Sequence, residues 1–138
     1  MYLLDTNVIS EARKGKGANP GVLEFVRESP DGLAQAYLSV VTVGELRRGV
    51  ERLRYRGDRP QADLLEHWLA ETLSTFADRV LAFDVDCAQV WGRLRVPNEQ
   101  HAIDKQIAAT ALIYDLTLVT RNAPDFDGCG VRLLNPFR

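Results

Sequence analysis

Short apolar runs alternate along the chain with longer stretches in which apolar positions recur every three or four residues. Tyr2-Leu3-Leu4 reads as a short buried strand. Ala36-Tyr37-Leu38-Ser39-Val40, Val80-Leu81-Ala82-Phe83 and residues 116–120 and 131–134 repeat that pattern. Between them the period becomes helical. Thr6 or Asn7 caps a short helix running to about Arg13, and residues 14–19 form a loop. Asn19-Pro20 opens a second helix, with Val22, Phe25 and Val26 on one face and Ser29-Pro30-Asp31-Gly32 at its end. A helix from about Thr42 carries Leu46, Val50 and Leu53 on one stripe and breaks at Arg56-Gly57-Asp58. Pro60 opens the next, whose Leu64, Leu65, Trp68, Leu69, Leu73 and Phe76 form a broad apolar face. Asp84 caps a further helix with Val85, Ala88, Trp91 and Leu94 inward, ended by Pro97-Asn98. Residues 103–114 are helical and nearly all small or apolar, which predicts burial on most sides.

Strands alternating with helices from end to end predict a single α/β domain over residues 1–138, built on a parallel sheet covered on both faces. Such sheets bind ligands beyond the carboxyl ends of their strands, where the strand order reverses. Chemistry is therefore expected on residues just after strands and at nearby helix starts.

Composition narrows the classes. At 138 residues, 46% apolar and 26% charged, the chain has the length and make-up of one ordinary globular domain. No apolar run approaches the roughly 18–20 residues that span a bilayer, and the opening residues lack the features of a signal peptide, so a cytoplasmic protein with no membrane partner is expected. Cys87 and Cys129 match neither zinc nor redox spacing and read as buried thiols. The net charge of −2 gives no global attraction to nucleic acid. Arg47, Arg48, Arg52, Arg54, Arg56 and Arg59 nevertheless fall in one stretch, and Arg13, Lys14 and Lys16 in another. These are either solvated faces or a local basic surface. Gly15-Lys16-Gly17 completes neither a dinucleotide fingerprint nor a nucleoside-triphosphate loop, and His67 and His101 have no catalytic motif around them.

The informative residues are carboxylates. Asp5 ends the first strand; it either caps the following helix or serves a site. Glu45 lies early in the helix after the second strand, where Thr42-x-x-Glu45 also has the form of a capping box. Asp104 sits in the first turn of the small-residue helix, where a carboxylate suits the helix dipole. Asn122 and Asp125 follow the fourth strand in Asn122-Ala123-Pro124-Asp125, which also reads as a turn. Together they put Asp5, Glu45, Asp104 and Asn122 or Asp125 on one edge of one sheet. Carboxylates converging there repel one another and raise one another's pKa, a conflict that a hard divalent cation such as Mg²⁺ or Mn²⁺ removes. Such an ion polarises a phosphodiester and activates water. An aspartate-nucleophile phosphatase would want a second Asp at position 7, which is Asn.

The order and spacing of four segments resemble the PIN-domain ribonucleases, and within them the VapC-type toxins of bacterial toxin–antitoxin pairs, FitB-like subgroup. The segments are Leu3-Leu4-Asp5-Thr6-Asn7-Val8-Ile9-Ser10-Glu11, Leu38 to Gly49 with Gly44-Glu45-Leu46, Ile103-Asp104 with Ile107-Ala108-Ala109-Thr110-Ala111, and Leu118-Val119-Thr120-Arg121-Asn122 with Asp125-Phe126. The resemblance implies a PIN-like three-layer fold with a five-stranded parallel sheet, and Mg²⁺- or Mn²⁺-dependent cleavage of RNA to 5′-phosphate and 3′-hydroxyl ends. It also implies a cognate, DNA-binding antitoxin that blocks the site, in a homodimer or a larger hetero-oligomer. It carries onto Asp5, Glu45 and Asp104 as the acidic core. Asn122 stands where many relatives have an acid, with Asp125 the nearby alternative. On this reading Asp5 and Asp104 bind the ion, Glu45 orients or deprotonates water, and Asn122 and Asp125 complete the shell. Thr6, Asn7 and Thr120 support it, and Arg47, Arg48, Arg52, Arg13 and Lys14 are candidate RNA contacts.

Overall fold

Successive side chains leave a strand on opposite faces, and that rule organises the whole molecule. In the computed structural model, which describes residues 1–28 and 33–138, strand β1 (Tyr2–Leu4) buries Leu4 in one core and Leu3 in another. Strand β4 (Thr117–Val119) does the same with Val119 and Leu118. A strand buried on both faces cannot show polar alternation, which is why these segments read as continuous apolar runs. Full burial of each such leucine contributes about 1.5–3 kcal/mol.

Five strands, β1, β2 (Ala36–Ser39), β3 (Val80–Leu81), β4 and β5 (Leu133–Leu134), pair in parallel in the order β3-β2-β1-β4-β5. The first core holds Val8 and Ile9 of α1 (Thr6–Ala12), Leu46 and Val50 of α3 (Val40–Tyr55), and Leu69 of α4 (Arg59–Thr75) with Phe76 just beyond it. Phe25 of α2 (Pro20–Glu28) packs against it. The second holds Ile107, Ala108 and Ala111 of α6 (Ala102–Ile113), with Leu94 of α5 (Val85–Leu94) against it. The result is the expected three-layer α/β domain. Among the described residues, no helix is long and apolar enough to cross a membrane.

The chain runs outward from β1 through β2 to β3, then returns across β1 to lay down β4 and β5. The reversal falls between β1 and β4, and it opens a crevice at their carboxyl ends. The far end of the chain closes on α2. A Cβ on Gly21 would meet the Pro136 carbonyl oxygen at 1.9 Å, so only glycine admits this approach. The Asn19 side-chain oxygen accepts from the Gly21 and Arg138 backbone amides at 2.9 and 3.1 Å.

Several expectations are corrected. Asp5, rather than Thr6 or Asn7, caps α1, its side chain accepting from the Thr6 amide. Ser39 caps α3, which starts at Val40 and ends β2 one residue early. Its hydroxyl takes the Val41 amide, and Thr42 and Glu45 form no capping box. Leu64 and Val85 are 63% and 74% exposed because each lies on the outer side of its helix. The loop at residues 14–19 contains a 3-10 turn, Gly15–Gly17, and β3 and β5 are two residues each. The stop assigned to Ser29-Pro30-Asp31-Gly32 lies outside the described residues. Both cysteines are free and buried, as expected.

Candidate active site

Asp5 follows β1 directly and is 3% exposed. A carboxylate so placed needs donors, and it has three. The Thr6 amide donates to Oδ1 at 2.8 Å, and the Asn7 amide group and the Thr120 hydroxyl donate to Oδ2 at 3.1 and 2.8 Å. Thr120 follows β4, the strand that pairs with β1 in register Leu4↔Val119, so the sheet itself brings this hydroxyl to Asp5. The same hydroxyl accepts from the Asn122 amide at 3.0 Å, and Asn7 Oδ1 accepts from the Arg121 amide at 3.1 Å. Thr6, Asn7 and Thr120 therefore fix Asp5 and tie the two strand ends together.

Asp5, Thr6, Asn7, Glu45, Ile103, Asp104, Ile107 and Asn122 line one open cleft of ≈ 320 Å³ at this edge of the sheet. Glu45 reaches it from α3 and Asp104 from the first turn of α6. Burial pushes the Asp5 carboxyl above its ordinary value, against its hydrogen bonds to Thr120, Thr6 and Asn7. Burial, with the nearby charges of Asp5, Asp125 and Glu45, pushes Asp104 to about 6, partly offset by His101. Among the described residues, no lysine or arginine lines the cleft. Three carboxylates with no basic side chain between them form an all-oxygen donor set of the kind that suits a hard divalent cation.

Asp125 lies on the 3-10 turn Ala123–Phe126, next to the cleft rather than in its lining. His101, set aside in the sequence because no catalytic motif surrounds it, joins it to Asp104. Its Nδ1 is 3.9 Å from Asp104 Oδ2 and its Nε2 is 3.9 Å from Asp125 Oδ1. Ligand atoms of the three residues lie within 4.8 Å of one another. The available signal was its position three residues before Asp104, at the helix start, where its backbone takes the left-handed φ of 57°.

The candidate RNA contacts divide. Arg47 is paired with Glu66 on α4 at 2.6 Å, Lys14 with Glu11 at 3.0 Å, and Arg13 lies over the Trp68 ring at 5.8 Å. Arg48 stands 3.9 Å from Glu45. Arg48 and Arg52 line a surface hollow with Glu51, Arg56 and the almost fully exposed Tyr55. The basic stretch is thus partly structural, with an exposed remainder beginning beside Glu45.

A PIN domain model matches residues 2–127. The chain belongs to the PIN-domain family. It is 37% identical to Toxin FitB of Neisseria gonorrhoeae over 99% of both chains. It is 30% identical to a VapC ribonuclease of Sinorhizobium fredii, covering 99% of this chain and 98% of that one. The crystal structure of FitAcB from Neisseria gonorrhoeae superposes with a TM-score of 0.84 at 36% identity, over 99% of this chain and 98% of that chain.

Proposed function

We propose that this protein is a metal-dependent endoribonuclease, the toxin of a toxin–antitoxin pair, acting in the cytoplasm and silenced by a cognate DNA-binding antitoxin. The observation that carries this reading is the cleft at the β1–β4 crevice, lined by Asp5, Glu45 and Asp104 without a basic side chain. Its kinship with Toxin FitB and a VapC ribonuclease supports the substrate and the partner.

Asp5 and Asp104, with Glu45, would hold Mg²⁺ or Mn²⁺, which supplies charge neutralisation at the phosphate and eases ionisation of water. Glu45 takes the proton of the attacking water as its oxygen bonds to phosphorus. The bond from phosphorus to the 3′ oxygen breaks, that oxygen takes a proton from solvent water to become the new 3′-hydroxyl, and the 5′-phosphate stays on the other fragment. Thr120, Asn7 and the Thr6 amide hold the Asp5 carboxylate in one orientation. Asn122 contributes an amide to the cleft, and Asp125 adds negative charge behind Asp104. Arg48 and Arg52 meet the RNA backbone, Tyr55 offers a ring face to an unstacked base, and single-stranded or looped RNA fits these contacts.

The direct test incubates the antitoxin-free chain with structured and unstructured RNAs, with Mg²⁺, Mn²⁺ or EDTA, beside Asp5→Asn. Cleavage that requires the ion and is lost in the variant supports the proposal. Cleavage that is indifferent to EDTA, or equal in the variant, overturns it.

A further inference from the structure

A second cavity, of ≈ 370 Å³, adjoins the acidic cleft. The two share a wall, since His101 and Asp125 line the cavity and His101 also approaches Asp104 in the cleft. The volume is within the roughly 300–1,000 Å³ of pockets that enclose small molecules. Leu94, Pro97 and Pro124 give it apolar surface, Lys105 a charged donor and Asp125 and Asp127 carboxylate acceptors, with Asn98 and Gln100 also on its wall. Lys105 is 6% exposed and donates to the Asn98 carbonyl oxygen. An ammonium has three N–H donors, so others remain for a guest.

We propose that this cavity receives the nucleobase next to the phosphate in the cleft and favours guanine. The proposal rests on the nuclease reading above and names the sequence that such a nuclease would select. RNA is read in sequence mainly by drawing unstacked bases into pockets and bonding their edges. Guanine presents two adjacent donors, N1–H and the 2-amino group, which match the two oxygens of the Asp127 carboxylate. Its O6 and N7 acceptors match the Lys105 ammonium. Cytosine offers the carboxylate one amino group, adenine has no adjacent pair of donors, and uracil sets its single N–H between two carbonyls.

The test titrates the full chain in EDTA with the 5′-monophosphates of guanosine, adenosine, cytidine and uridine, following backbone amide resonances. The expected result is that guanosine monophosphate shifts Gln100, Lys105 and Gly128 at a concentration at least about fivefold below that needed by uridine monophosphate. Asp127→Asn, a change at an exposed rim position, should erase most of that difference without altering the rest of the spectrum. Equal response to all four nucleotides, shifts confined to other surfaces, or an unchanged preference in Asp127→Asn would overturn the proposal. RNA cleavage without response at the cavity would reject the base pocket and keep the nuclease. Guanine-selective binding by a chain that cuts no RNA would do the reverse.

Discussion

Two parts of this molecule handle carboxylates in opposite ways. On the exposed α3–α4 hairpin, Glu66 meets Arg54 and Arg47, and their hydrogen bonds hold its carboxyl down at about 2. At the carboxyl edge of the sheet, Asp104 meets Asp5, Asp125 and Glu45 under partial burial and is driven up to about 6. The first carboxylate finds its counter-charge elsewhere in the same chain. The second has around it chiefly groups of its own sign, so its neutralising charge must come from protons or from solution. On the proposed reading, the contrast separates charge that braces a fold from charge held ready for a ligand.

The strongest way to break the comparison is Asp5→Ala. Cleavage should fall to background, and removing the α1 cap should also cost about 0.5–2 kcal/mol in thermal or urea unfolding. Near-normal rates would leave Asp5 only its capping role. Glu45→Gln should come next, lowering the single-turnover rate by about 10²-fold or more with little change in unfolding midpoint, since Glu45 caps nothing. Thr42→Ala supplies the contrast. Thr42 is buried and accepts the Thr6 hydroxyl at 3.3 Å, so its loss should register in stability before rate.

The proton linkage of Asp104 comes third. Its carboxyl binds a proton more tightly in the folded chain than in the unfolded one. The resulting stability is fully present below about pH 4, the ordinary value, and is lost as pH rises through about 6. In EDTA, Asp104→Asn should therefore gain on the wild type in unfolding midpoint over that span. The midpoint rise given to the wild type by Mg²⁺ or Mn²⁺ should grow over the same span. A flat difference would detach Asp104 from the acidic cluster. Smaller still, Arg48→Ala and Arg52→Ala should each reduce the salt dependence of RNA affinity by about one unit of slope. Glu66→Gln should make the smallest change, a modest drop in midpoint that disappears at high salt.

Much of this was legible beforehand. Paired apolar runs gave the five strands, and their alternation with helices gave a parallel sheet, because a doubly covered strand has no polar face to disguise it. Asp5, Glu45 and Asp104 stood out as acids at the ends of such elements. The Thr42-x-x-Glu45 pattern misled because capping is decided by where the helix begins, and Ser39, one turn earlier, took that position. His101 was missed because its meaning is tertiary: the turn carrying Asp125 folds back against α6. Arg47 and Arg54 could not be told from the other arginines of α3 in the sequence, since Glu66, and for Arg54 also Asp63, lie on the next helix and are reached only once the hairpin closes.

The strand order also fixes when, during synthesis, an active centre can exist. Asp5 leaves the ribosome early, but the hydroxyl that orients it belongs to Thr120, 115 residues later. A nascent chain carries Asp5 and Glu45 long before β4 can slide in beside β1. On the proposed reading, a cell making this protein is spared its activity until Thr120 and β4 have emerged, an interval in which a partner can already be waiting. A chain stopped at Tyr114 should leave RNA intact; cutting by that fragment would show that β4 is dispensable.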